Sequence, residues 1–238
     1  MLQSMRPVAL AALLCLGFWS ASSAQEHPQQ ISCRFRTLGW GDIPGQLYLA
    51  SGSADMQVPI ANQRFSTYHN YHGTPTLAFY RQPPVPRADG TLPPPVAMVT
   101  LQPNSQDYIL LVLADDSNAG FRILPMADSS TQLPEGSLTL VNLTPAMLGT
   151  RLDTESRELP PLQPTLIPLP ENEHPDRIRQ RVPMQIFWKS PDGWEALRSV
   201  FIFVKKGSNN FLFLHKPMWQ DGINGYVKDP IQWTIVSR

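Results

Sequence analysis

Apolar and polar positions along this chain follow a short period. Runs of β-branched, aromatic and aliphatic residues, five to seven long, recur at 46–50, 76–81, 96–101, 108–113, 120–124, 137–141, 184–189, 199–205, 211–215 and 231–236. Each run is bounded by turn formers, and that spacing predicts strands of a sandwich or barrel. No window of eleven or more residues sustains a 3.6-residue period, so few or no helices are expected. Single helical turns are expected at 145–149, after Asn142 or Thr144, and at 192–196.

Proline sharpens this picture. The chain has 25 prolines in 238 residues, about twice the usual share. They cluster at 83–95 and at 160–175. A residue without a backbone donor and with a fixed φ belongs in loops or extended edges, so these stretches are excluded from helix interiors and central strands. Two hairpins are predicted where apolar runs flank compact polar turns: 96–101 with 108–113, and 199–205 with 211–215. Asp107 and Asn210 stand just before the second, aromatic-led run of each.

The parallel suggests an internal duplication, with Gln46-Leu47-Tyr48-Leu49 and Ser137-Leu138-Thr139-Leu140 as matching starts. The turn serines Ser105 and Ser208 are 103 residues apart but these starts only 91, so the alignment needs a 12-residue insertion, which the proline-rich stretch 159–176 supplies. The expected architecture is all-β: two Ig-like β-sandwich modules in tandem, 25–130 and 131–238, meeting near 128–135.

The first 24 residues read differently. Arg6 is their only charge, an apolar run follows from Val8 to Trp19, and Ala21-Ser22-Ser23-Ala24 closes the segment. This is the pattern of a secretory signal peptide, too short to span a bilayer, with cleavage expected after Ala24. Cys15 is preceded by Leu14 rather than the small residue that lipoprotein processing wants. The mature chain of 214 residues then carries 18 basic and 19 acidic side chains with no basic run. Nucleic acid is therefore not expected as a partner. No later stretch reaches 18 apolar residues without a charge, so no transmembrane segment is expected. Cys33 becomes the one cysteine, which excludes an intramolecular disulfide; a buried small hydrophobe is the expected role, with a reactive thiol or an intermolecular bridge as the alternative.

Chemistry-bearing motifs are sparse. The cluster Tyr68-His69-Asn70-Tyr71-His72-Gly73 invites a metal site, but an offset of three on an extended chain points the imidazoles to opposite faces, and His27, His174 and His215 share no spacing with them. No nucleophile elbow, phosphate loop or dinucleotide fingerprint occurs, and no cofactor is expected. The carboxylate pairs Asp115 with Asp116 and Glu155 with Glu158 are expected in solvated connections, and Asp115, Asp116 and Asn118 lack a complete calcium loop. Asn142-Leu143-Thr144 is a sequon followed at once by Pro145. Among the late aromatics, Trp188 and Trp233 lie in apolar runs and are expected in the core. Trp194, Trp219 and Tyr226 are the candidate ligand-binding residues, the two tryptophans in polar, glycine-containing loops.

The run Asp107 to Leu113, the polar turn with Asp115 and Asp116, and Leu133-Pro134-Glu135-Gly136 leading through a strand to Asn142 and Thr144 resemble secreted bacterial Ig-like proteins, in which one module's last strand is followed by such an opening of the next. The resemblance covers residues 107–144 and implies an envelope or extracellular sandwich protein of unassigned activity, with no catalytic residues to carry over. Together these readings give an exported protein of the periplasm or cell surface that is not an enzyme. It acts by binding or as a structural component, with an envelope protein or glycan as partner. The alternatives are a carbohydrate-binding module, or a hydrolase whose site assembles only in three dimensions, through two close carboxylates or a histidine beside a serine or Cys33.

Overall fold

The computed structural model describes residues 30–51, 54–102, 105–115, 120–129, 133–134, 136–170, 177–216 and 231–237. Among them the chain is all β, in sixteen strands and without a helix. The first eight are β1 (Ile31–Trp40), β2 (Gln46–Ser51), β3 (Ala54–Pro59), β4 (His69–Gly73), β5 (Thr76–Tyr80), β6 (Ala97–Thr100), β7 (Asp107–Asp115) and β8 (Gly120–Ala127). The second eight are β9 (Ser137–Asn142), β10 (Leu148–Leu152), β11 (Glu155–Leu159), β12 (Pro164–Pro168), β13 (Arg179–Ser190), β14 (Gly193–Lys205), β15 (Asn210–His215) and β16 (Gln232–Ser237). The helical turns expected at 145–149 and 192–196 are instead the entries to β10 and β14.

Four four-stranded sheets result, in the orders β4-β1-β7-β8, β3-β2-β5-β6, β12-β9-β15-β16 and β11-β10-β13-β14. Adding eight to every strand number of the first pair gives the second pair, so the chain repeats one topology twice. The central pairing of each repeat is parallel. Arg34 faces Asp107 in one and Leu138 faces Asn210 in the other, sequence offsets of 73 and 72. The duplication expected from the sequence is present, but its frame is corrected: the counterpart of β9 is β1, not β2, and no 12-residue insertion is needed to align them.

Both expected hairpins are also corrected. β6 pairs with β5, whereas β7 pairs with β1 and β8; β14 pairs with β13, whereas β15 pairs with β9 and β16. The connections from β6 to β7 and from β14 to β15 carry the chain from one sheet to the facing sheet. Polar pins hold these crossings. Asn210, almost wholly buried, accepts from the Lys205 amide (3.0 Å) and the Ser237 hydroxyl (2.7 Å) and donates to the Lys205 and Ser208 carbonyls. At the matching position Asp107 takes both prongs of the Arg34 guanidinium, at 2.8 and 2.6 Å.

Alternation of side chains along each strand sorts the apolar residues into three layers. Phe35, Leu47, Leu49, Phe79, Leu110 and Val112 fill the space between the first two sheets, and Leu140, Leu148, Met184, Ile186, Ile202 and Leu212 fill the space between the second two. The third layer joins the repeats: Leu38, Trp40, Ile109, Leu111, Leu113 and Met126 pack with Val141, Phe211, Phe213 and Val236. Trp40 lies 5.1 Å from Phe213 and 4.9 Å from His215, and Phe65 meets Phe211 edge-on at 5.5 Å. Strands β7 and β15 are therefore apolar on both faces, the pattern of strands covered on both sides.

Local chemistry makes this stacking possible. A side chain at Gly39 would place its Cβ 1.8 Å from Ile43 Cδ1 and 2.7 Å from Ile60 Cγ2, so the absence of one lets both isoleucines pack over β1. The proline-bearing strand β12 sits at a sheet edge, as a residue without an amide donor requires. Beside the interlayer core, the buried Arg36 guanidinium pairs with fully buried Asp128 at 2.7 Å and lies over the Phe65 ring at 4.1 Å. Tyr68 donates its hydroxyl to the same carboxylate at 2.6 Å. Removing one partner of such a pair costs about 3–5 kcal/mol, because it strands the other charge away from water.

His215 lies in the interlayer core with Nδ1 2.7 Å from the Lys216 carbonyl, so Nδ1 carries the proton of the neutral ring, and Nε2 meets the Thr234 hydroxyl at 3.3 Å. Burial holds its pKa below the ordinary imidazole value, and burial does the same to His69. The unfolded chain therefore takes up protons first, and stability that is fully present above about pH 6.5 declines as the pH falls below it. We expect the urea midpoint to drop between pH 7.5 and pH 5.5, with a smaller drop in His215→Gln. An equal drop in the variant would contradict this role.

Candidate binding face

The outer face of the β11-β10-β13-β14 sheet gathers exposed aromatics. Val182, Met184 and Ile186 point into the second core, so Arg181, Pro183, Gln185 and Phe187 point outward, and their partners across the register are Phe203, Phe201, Ser199 and Ala196. Phe201 and Phe203 are 51% and 56% exposed, and the Arg181 guanidinium lies 3.6 Å from the centre of the Phe201 ring. The hairpin is much longer than its counterpart, with 12 and 13 residues in β13 and β14 against 5 and 4 in β5 and β6.

At the turn end of this hairpin the face closes into a cleft of about 290 Å³, lined by Gly149, Thr150, Ser156, Arg157, Glu158, Phe187 and Trp194. Its floor exists because Gly149 has no side chain: a Cβ there would lie 3.0 Å from Trp194 Cζ3. Trp194 stands at the second residue of β14 rather than in a loop, and its ring reaches across β13 toward β10 while staying 43% exposed. Lys189 Nζ lies 5.5 Å from the indole centre and 4.0 Å from Glu158 Oε1, and Arg157 pairs with Glu155 at 2.9 Å. Glu155 and Glu158 thus belong to strand β11, not to a connection. Glu195 is held below the ordinary carboxylate range by hydrogen bonds from the Ser190 and Trp188 side chains. Trp188, expected in the core, is 37% exposed, because it lies near the end of β13 where the sheet runs past the packed layer. Trp233, by contrast, packs on the second core, with the Arg198 guanidinium 4.7 Å from its ring centre.

Of the three candidate ligand-binding residues, the structure brings Trp194 into a cleft, while Trp219 and Tyr226 lie outside the described residues. Phe187 belongs to the late aromatics that the sequence marks, but Gly149 carries no signal there, and only the register of β10, β13 and β14 brings the two beside Trp194.

A second, polar groove of about 590 Å³ runs along β1, β4 and β7, lined by Ser32, Cys33, Arg34, Asn70, Tyr71, His72, Gln106 and Asp107. The two imidazoles of β4 face opposite ways, as expected: His69 stacks on Phe35 at 5.5 Å, and His72 Nδ1 meets Ser32 Oγ at 2.8 Å. A histidine beside a serine is one arrangement that a hydrolase would need. The acid that would orient that imidazole is missing from the pair, because Asp107, the carboxylate lining the groove among the described residues, is held by Arg34. No group of three or more His, Cys, Asp or Glu side chains among the described residues is placed to hold a metal ion. No helix among them is long and apolar enough to cross a membrane. Asn142 of the sequon is wholly buried and bonded to Thr144, Ala146 and Leu159, so it does not present its amide to solvent.

A search of models of known protein families finds no match to the chain, and a search of curated proteins finds none.

Cys33 is buried beside Tyr71 and Tyr108 in the first core. Burial, and secondarily the Asp107 charge, push its thiol above the ordinary value. Since the thiolate is the nucleophile, Cys33 is expected to react with Ellman's reagent at pH 8 about tenfold or more slowly in the native protein than in urea. Equal rates would show that the thiol is open and reactive.

Proposed function

We propose that this chain is an exported protein of the cell envelope or cell surface that works by binding, and that the β13–β14 hairpin is its contact element. The observation that carries the reading is the outward row of Phe201, Phe203 and Trp194 on a hairpin that the first repeat keeps short. Exposed aromatics on a long sheet-edge strand are an aggregation liability unless a partner uses them. The export signal of residues 1–24 and the sparse catalytic motifs agree with this. The partner is an envelope protein or glycan. A hydrolase using Ser32 and His72 is the second reading, and it ranks below because Asp107 serves Arg34.

Truncating an aromatic at the centre of an interface costs about 2 kcal/mol or more, roughly 30-fold in affinity. The mature chain, residues 25–238, is expected to be retained by an envelope fraction of its source. A Phe201→Ser and Phe203→Ser double variant with unchanged circular dichroism should lose that retention. Equal retention of the variant would remove the hairpin from the reading.

A further inference from the structure

We propose that the cleft over Gly149 takes one pyranose ring of a neutral oligosaccharide, stacked against Trp194. This deepens the reading of the hairpin as the contact element and rests on it. A sugar ring is amphipathic, with a C–H face and a rim of hydroxyls. The cleft is built the same way. Its floor and one end are apolar, formed by Gly149, Phe187 and the exposed part of the Trp194 indole, and its rim carries Ser156 and Glu158, which share the outward face with Gly149, with Lys189 beside the indole. Indole faces and edges attract C–H groups, and the rim supplies both donors and acceptors for hydroxyls.

Size and charge narrow the ligand further. The volume of about 290 Å³ is at the small end of the roughly 300–1,000 Å³ that takes drug-sized ligands, which suits one ring with its neighbours lying outside. On the outward face Lys189 lies 4.0 Å from Glu158, and Arg151 beside the cleft donates to the Gln185 side chain; Arg157 pairs with Glu155 at 2.9 Å on the opposite face. Within the cleft lining the Glu158 charge is matched by Lys189 and Arg157 is engaged by Glu155, so the complementary ligand is uncharged. An interior glycine weakens a strand, and Gly149 is flanked on both sides by β11 and β13, so its presence needs a reason. Covering that glycine is one task for Trp194, and with 43% of the residue exposed the rest of its surface is open to a ligand.

The test is a titration of the ¹⁵N-labelled mature chain with the β-1,4-linked tetrasaccharides of glucose and of N-acetylglucosamine, following the indole N–H signals. Saturable shifts with at least one of them are expected. Trp194→Ala and Gly149→Val, which remove the wall and fill the floor, should weaken binding about tenfold or more, while Val85→Ser, at an exposed apolar residue of the first repeat, stays within about twofold of the parent. No saturable shift with either sugar, or unchanged binding in Trp194→Ala, overturns the proposal. If sugar binding is absent while envelope retention still requires Phe201 and Phe203, the sugar site falls and the hairpin reading stands. If sugar binding is present and depends on Trp194, while the Phe201, Phe203 pair proves dispensable for retention, the sugar site stands alone.

Discussion

Everything else in this molecule depends on the apolar layer between the two inner sheets. Strands β1 and β7 present Leu38, Trp40, Ile109, Leu111 and Leu113 away from their own sandwich, and β15 presents Phe211 and Phe213 away from its own. Left in water, these side chains would forfeit about 1.5–3 kcal/mol each. Packed together they turn two sandwiches into a four-layer body in which β7 and β15 are covered on both faces. The polar groups that border the layer are matched rather than exposed: Arg36 with Asp128, and His215 with Thr234 and the Lys216 carbonyl. The layer also assigns roles to the remaining faces. Two sheets become interior, and the aromatic face of the β13–β14 hairpin is left to solvent.

Much of this was legible in the residues, and the failures have definite causes. The runs Tyr108 to Leu113 and Phe211 to His215 read as strands because they are short, apolar and flanked by turn formers. Their lack of alternation matches the two-sided burial that the structure shows, a signal that the strand reading did not use. The hairpins were misread because five or six polar residues reach a neighbouring strand about 5 Å away as easily as a facing sheet about 10 Å away. Turn composition does not distinguish these outcomes. β1 escaped the strand search because Arg34, Arg36 and Gly39 interrupt its apolar run; Arg36 pairs with Asp128, 92 positions on. Without β1, the duplication was framed one strand late.

The binding face shows the same division. Trp194 stood out as a tryptophan after an Asp-Gly turn. Gly149 did not, and although Phe187 is one of the late aromatics, the two become a floor and a wall only through sheet register. The repeats share a topology but differ at this outer edge: β5 and β6 are short, whereas β13 and β14 run to 12 and 13 residues and carry the exposed rings. Divergence between copies of one scaffold is where a binding role separates from a packing role, because the shared part is constrained by its cores and the lengthened part is not.

The central claim is that the interlayer core makes the two sandwiches one cooperative unit. Hydrogen exchange with mass spectrometry along a urea series tests it most directly, because peptides from each repeat report separately. The account predicts that the central amides of β7 and β15 lose protection together at a single midpoint, and that Trp40→Ala shifts both by the same amount. If one repeat loses protection at a lower urea concentration while the other keeps its own midpoint, the sandwiches are independent and the account is wrong.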